Sequence, residues 1–410
     1  MSEKFRIEVS GRISRLPPYL FARINKMKYE LRVNDRDIID LGMGNPTDPT
    51  PESVVKKLQE ASLDPRNHRY SVSNGIAGLR KEVAKKYKRK YAVDLDPETE
   101  IIATIGSKEG FSHLCLALLG PGDTIVVGDP AFPIHIYAPA MAGANVIRVP
   151  LGNDQAFLDR IERVFNEIYP KPKLLILNYP HNPTAITIET KFWDKAIEMC
   201  HRHGVMIISD FAYGEVCYDG YKAPSFLSAD GAKEIGVEFT TMSKSYNMAG
   251  WRCGFCAGNA EMVKALATIK GYYDYGMFAP IQIASVIAMR EHMDFPEKQA
   301  KIYQERRDVV CAGLEKLGWA HEKPSASMFV WAQIKPEHYK PNEGTLDFCL
   351  RMMEEAEVAL APGRAFGEHG EGFVRIALVE NEHRLKQAMR NLDRALNPRE
   401  KKPKREKATA

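Results

Sequence analysis

The chain has 410 residues, 44% of them hydrophobic and 27% charged, the balance of a globular protein with two or three domains, or one large domain and a smaller companion. Its formal net charge is +4, but the segment 398–410 alone carries six Lys or Arg against two Glu, so the folded body is close to neutral. A neutral body argues against a nucleic-acid surface, and no apolar run approaches the roughly 20 residues that cross a bilayer, so neither nucleic acid nor membrane is an expected partner.

In chain order, the opening "MSEKFRIEVSGR" lacks the apolar stretch of a secretory signal. The seven cysteines are scattered and odd in number, which points to reduced thiols and a cytoplasmic location. Residues 1–48 read as an N-terminal arm that runs into "LGMGNPTDPTP". From about residue 100 to 260 a short β-rich run, a turn and a helical stretch follow one another repeatedly. The runs are "EIIATIG", "DTIVVGD", "NVIRVPL", "KLLILNYP", "VMIISDF", "EFTTMSK" and "RCGFCAGN", which read as seven strands. Several are apolar at both parities, as strands covered on both faces are. Intervening segments such as 189–202 have helical length and composition. The alternation predicts an α/β large domain over 49–288, with a mostly parallel seven-stranded sheet between helices. A charged helix over 297–317, then "SMFVWAQI", a helical "TLDFCLRMMEEAE" and "GFVRIALV", predict a smaller α+β domain over 289–397. Residues 398–410 read as a basic, flexible tail. Cys253 and Cys256 form a CxxC among strand residues with no second pair, so no metal site is expected.

Ligands of such sheets bind beyond the carboxyl ends of the strands. Asn182 follows "KLLILNYP", Asp210 closes "VMIIS" and Lys244 closes "EFTTMS", so three polar residues converge on one rim. Ser107 opens a helix straight after a strand, and a helix N-terminus offers an anion free N–H groups and partial positive charge. Thr241 and Ser243 place hydroxyls on one strand parity before Lys244, and Arg252 adds a guanidinium. Each residue also has an ordinary structural reading: Ser107 as an N-cap, Asp210 as the cap of the next helix, Asn182 as the start of an Asn-Pro turn. Together they supply a phosphate cradle, an acid for a ring nitrogen, two hydrogen-bond donors and a rim lysine, the set that pyridoxal phosphate requires.

The motifs "GNPTDPTP", "YSVSNGIAGLR", "GSKEG", "DPAFP", "NYPHNPT", "SDFAY", "SKSYNMAGWRCG" and "FVRIAL" stand in the order and spacing of a known family. From about Arg12 to about Leu396 the chain resembles the class I/II pyridoxal-phosphate aminotransferases of fold type I. The resemblance implies that Lys244 holds the cofactor as a Schiff base and then moves the proton at the substrate Cα. It implies that Asp210 pairs with the pyridine nitrogen, that Tyr213 and Asn182 bond the ring oxygen, and that Phe132 stacks on the ring. Ser107, Lys108, Thr241 or Ser243, and Arg252 would hold the phosphate. Tyr70 resembles the tyrosine that reaches the phosphate of the neighbouring subunit, which implies a homodimer with shared active sites. Arg375 resembles the clamp for the substrate α-carboxylate, with Asn182 and the Gly44 backbone beside it. Two positions depart from many relatives: Phe132 replaces a Tyr or Trp, and Thr241 replaces a Ser while keeping the hydroxyl.

The arm resembles the bacterial glutamate-pyruvate (alanine) branch, which implies alanine and 2-oxoglutarate as substrates. LL-diaminopimelate aminotransferase and broad aspartate or aromatic activity are the alternatives within the family. No second arginine stands out for a side-chain carboxylate; Tyr19 and Tyr275 are neutral candidates for the pocket. A pyridoxal-phosphate β-lyase shares the cofactor residues and differs in its products. A nicotinamide dehydrogenase shares the α/β texture, but no GxGxxG follows a strand.

Overall fold

The computed structural model describes residues 7–398, so all but the first residue of the expected basic tail lies outside the described residues. Seven strands form the central sheet: β1 (Ile101–Ile105), β2 (Thr124–Asp129), β3 (Asn145–Pro150), β4 (Pro172–Asn178), β5 (Met206–Asp210), β6 (Gly236–Thr241) and β7 (Cys253–Gly258). Their spatial order is β1-β7-β6-β5-β4-β2-β3. All neighbours run parallel except that β7 pairs antiparallel with both β1 and β6.

The strand period of two explains why these runs are apolar at both parities. Ile125, Val127, Leu174, Ile176 and Phe239 pack with Phe111, Leu114 and Leu266 on one face. Val126, Leu175 and Leu177 pack with Leu79, Val83 and Trp193 on the other. Helices therefore cover the sheet on both sides, as expected for a largely parallel sheet. Cys253 joins the second cluster and Cys256 the first, so the two thiols of the CxxC lie on opposite faces. Only β3, at the edge, leaves most of its residues partly open to solvent.

Beyond the sheet, Phe329–Gln333, Phe373–Ala377 and Ala361–Pro362 form a three-stranded antiparallel sheet. The helices Phe295–Leu317 and Glu382–Leu396 share a core with it through Val310, Leu314, Val330, Ile376, Leu385 and Leu392. The N-terminal arm folds onto this second lobe. Its helix Leu20–Val33 buries Phe21 and Ile24 against Met353 and Phe366, and Ile39–Asp40 pairs parallel with Val358–Ala359. Among the described residues no helix is long and apolar enough to cross a membrane.

One local expectation is corrected. The strand expected to run through Lys244 stops at Thr241, and Met242–Ser245 form a helical turn. Thr241 caps that turn, its Oγ1 accepting from Ser243 N at 3.1 Å, so Thr241 and Ser243 do not share a strand parity.

Candidate active site

Sheet polarity brings the polar residues together. β4, β5 and β6 end at one edge, and β1 ends there too, because it is antiparallel to β7, which is antiparallel to β6. The reversed β7 starts at that edge, which delivers Arg252 to the rim just before the strand begins. A cavity of about 750 Å³ opens there, and every sequence-predicted site residue except Tyr70 and Tyr275 lines it.

At one end, the helix Ser107–Leu118 points its N-terminus at the cavity. Gly106, not Ser107, is its N-cap, and brings no side-chain acceptor to the first-turn amides. Gly106 sits at φ +76°, which favours glycine, and a Cβ there would push the Arg252 guanidinium out of its place. Arg252 itself lies in the left-handed region and donates from Nη1 to the Ala249 carbonyl at 2.9 Å. The Thr241 and Ser243 hydroxyls stand 2.9 Å apart. Lys108 Nζ lies 5.7 Å from the Phe132 ring centre. Burial, then the Arg252 charge, lowers the Lys108 ammonium below its ordinary range.

In the middle, Asp210 Oδ2 meets Nε2 of the buried His135 at 2.8 Å, and Oδ1 accepts from Ala212 N at 3.2 Å. Asn178 Nδ2 donates to the Asp210 carbonyl at 2.7 Å, and Asn178 Oδ1 accepts from Asn182 N at 2.9 Å. Sequence reasoning passed over both His135 and Asn178. The signal for Asn178 was a polar residue closing a buried strand, opposite Asp210 in register. Lys244 Nζ donates to the Gly44 carbonyl and lies 5.9 Å from the Tyr213 ring centre. Burial, reinforced by Arg375 and Arg252, pushes the Lys244 ammonium down to about 7. Burial raises the Tyr213 phenol.

At the other end, Arg375 projects from Phe373–Ala377 between the rings of Phe329 and Phe366, 4.1 and 4.6 Å from their centres. Its Nη1 donates to Asn182 Oδ1 at 2.8 Å and its Nη2 to the Gly42 carbonyl at 2.9 Å. The side chain is buried, its Nε has no partner, and burial lowers the group to about 10. The backbone contact to Arg375 itself thus comes from Gly42. Gly44 lines the cavity beside it, its carbonyl taking Lys244 Nζ, and a Cβ there would stand 2.5 Å from the Phe329 ring that flanks Arg375.

Two tyrosines fall outside this chain's cavity. Tyr70 is 86% exposed and packs against Tyr275 with ring centres 4.7 Å apart, so Tyr275 is not a lining residue, whereas Tyr19 is. Away from the cavity, Glu109, His113 and Asp274 gather in metal-ligand fashion. The Lys270 ammonium already serves as their cation, 3.1 Å from Glu109 and 3.0 Å from Asp274.

Three of the cavity's cations, Lys244, Arg252 and Arg375, donate to carbonyls and an amide oxygen, whereas Lys28, which also lines it, pairs with Asp40. Cations without an acidic partner at a cavity, the buried Arg375 above all, suit anionic ligands. The donor set fits a molecule with a phosphate, a protonatable ring nitrogen and an aldehyde, as pyridoxal phosphate has.

Comparison with known proteins agrees. The family described as "Aminotransferase class I and II" matches residues 36–392. Glutamate-pyruvate aminotransferase AlaC of Escherichia coli is 47% identical over 93% of this chain and 92% of its own length. LL-diaminopimelate aminotransferase of Moorella thermoacetica is 41% identical over 95% of this chain and 99% of its own. The apo structure of BacF from Bacillus subtilis superposes with a TM-score of 0.89 at 34% identity, covering 96% of this chain and 99% of that one. The family match runs through the sheet and the second lobe, from residue 36 to residue 392, and the chain belongs to the class I and II aminotransferases, enzymes that depend on pyridoxal phosphate.

Proposed function

We propose that this aminotransferase moves the amino group of L-alanine to 2-oxoglutarate, giving pyruvate and L-glutamate. The observation that carries the reading is Arg375: a buried guanidinium with an unpartnered Nε and neutral contacts only, facing a cavity walled by Tyr19, Phe21, Met43, Phe329 and Phe366. Its planar fork suits the carboxylate common to all α-amino acids. The apolar part of these walls suits a methyl group, and a second carboxylate would meet hydroxyls, amides and water at about 1.5–3 kcal/mol per hydrogen bond to a charged group, with Lys28 and Arg32 also on the lining. The 47% identity to a glutamate-pyruvate aminotransferase supports this choice, and the 41% identity to an LL-diaminopimelate enzyme supports the second reading.

When bound, pyridoxal phosphate supplies an electron-accepting ring that stabilises negative charge at the substrate Cα. Asp210, fixed by His135 and Ala212, holds a proton on the ring nitrogen. Asn182 and Tyr213 donate to the ring oxygen, and Phe132 covers the ring. Ser107, Lys108, Thr241, Ser243 and Arg252 hold the phosphate. Lys244 is the nucleophile and the base at Cα, and its lowered ammonium leaves a neutral amine fraction near pH 7.

Two lobes, 49–288 and 289–397 with the arm 1–48, are supported by largely separate apolar clusters among the described residues, although Tyr213, Val216 and Tyr218 pack with the second. A cytoplasmic homodimer fits the exposed Tyr70, Tyr275 and Phe278, which offer an apolar surface for a second copy. In that dimer Tyr70 reaches the partner's phosphate.

A panel of amino donors against pyruvate and 2-oxoglutarate tests the substrate. Alanine with 2-oxoglutarate should rank among the best pairs. A preference for LL-diaminopimelate or aspartate above about tenfold in kcat/KM, near 1.4 kcal/mol, overturns alanine and leaves the aminotransferase standing.

A further inference from the structure

Arg375 is held by an atom outside its own lobe's sheet, the carbonyl of Gly42, and that glycine is itself held from behind. Asp40 Oδ1 accepts from Gly42 N at 3.1 Å, and Asp40 Oδ2 takes the Lys28 ammonium at 2.5 Å. Lys28 belongs to the arm helix Leu20–Val33, and both members of the pair are mostly buried, with side chains 14% and 19% exposed. The backbone on either side is pinned as well: Leu41 N donates to the Ala359 carbonyl at 2.9 Å, and Ala377 N to the Leu41 carbonyl at 2.8 Å. A second, apolar route joins the same two places. Phe21, one helix turn and more before Lys28, meets Phe366 edge-on with ring centres 5.7 Å apart, and Phe366 lies on the Arg375 guanidinium.

We propose that the Lys28–Asp40 ion pair is a positioning device for the substrate-carboxylate clamp. It fixes Gly42, a residue with no side chain to hold it, so that the Gly42 carbonyl aims Arg375 Nη2 and leaves Nε free for ligand. The proposal rests on the reading of Arg375 as that clamp. Lys28 also lines the cavity, so its charge has a rival use as a direct partner of a distal substrate carboxylate. The two uses differ in consequence. Positioning weakens every carboxylate ligand equally, whereas direct contact weakens dicarboxylates alone. With Asp40 at 2.5 Å the Lys28 charge is already neutralised, which favours positioning.

The experiment uses holoenzyme and two probes, propionate and glutarate, with dissociation constants from calorimetry. Lys28→Gln and Asp40→Asn should each weaken both probes by about tenfold, the factor that corresponds to about 1.4 kcal/mol. KM for alanine and glutamate should rise by the same factor with kcat nearly unchanged, and Lys28→Arg should restore much of the loss because it keeps the ion pair. Loss of glutarate alone, unchanged binding of both probes, or a fall in kcat at constant KM overturns the proposal. Arg375→Lys is the control: if it leaves propionate binding intact, the clamp reading has failed; if it weakens binding and Lys28→Gln does not, only the positioning proposal has failed. Melting temperatures of the variants separate these results from simple unfolding.

Discussion

At the Arg252 end of the cavity, each group stands within a few residues of a strand terminus: Ser107 and Lys108 after β1, Thr241 at the end of β6 with Ser243 and Lys244 just past it, Arg252 before β7. At the Arg375 end, the guanidinium takes its contacts from Asn182 and Gly42, 193 and 333 residues earlier in the chain, and from two rings of the second lobe. The first end is a consequence of one sheet's polarity and shares its stability. The second exists only when arm, second lobe and sheet are docked. A change at the first end should therefore act locally on the cofactor, and a change at the second should act on substrate without touching cofactor affinity.

The strongest test lies between the two ends. Lys244→Ala should lower transamination by about ten-thousandfold or more, the upper range for loss of a positioned base and nucleophile. Circular dichroism should stay native, since the lysine contributes no core packing. Borohydride treatment of wild-type holoenzyme should leave the cofactor on the Lys244 peptide in mass spectra, and a label elsewhere rejects the assignment. The amine must be neutral to react, and its ammonium is lowered to about 7. Cofactor uptake by apoprotein should thus be level above that pH and fall about tenfold per unit below it.

Asp210→Asn comes next. It keeps the shape and removes the charge that protonates the ring nitrogen, so kcat should fall by about a thousandfold, some 4 kcal/mol. Because the amide oxygen still accepts from Ala212 N and the amide NH2 can donate to His135 Nε2 in its other tautomer, thermal melting should move little. Near-normal turnover rejects the role.

The comparison itself is sharpened by a matched pair. Arg375→Lys should reduce kcat/KM for all amino acids by about thirtyfold, roughly 2 kcal/mol for losing a two-pronged contact, with cofactor affinity unchanged. Arg252→Gln should do the reverse, raising the cofactor dissociation constant by about tenfold while excess cofactor restores activity. If excess cofactor also rescued Arg375→Lys, the division between the ends would collapse.

The smallest effect concerns the partner. Mixing inactive Lys244→Ala with a Tyr70 variant should recover about a quarter of wild-type activity, because random pairing makes half the dimers mixed and each mixed dimer keeps one intact site. Heterodimers that form without recovering activity place Tyr70 outside the site.

The sequence by itself determined the strands and most of the polar residues at or just past their ends. Runs such as "KLLILNYP" are apolar at both parities because both faces are covered, and that pattern survives without any knowledge of neighbours. Asp210, Asn182, Ser107 and Arg252 were legible for a related reason: a polar residue at the end of a buried strand, or at the start of the next element, stands where an α/β sheet meets its ligand. Tertiary structure alone decided the rest. That Gly42 meets Arg375, that His135 meets Asp210, and that Lys28 reaches Gly42 through Asp40 are contacts between distant segments. They leave no periodic trace, because each depends on how separate elements pack rather than on the spacing of residues along one of them. The turn at Lys244 is local but equally hidden from the pattern. Its residues suit a strand, and a single hydroxyl, Thr241 Oγ1 turned back onto the Ser243 amide, ends the strand and starts the helical turn that carries Lys244.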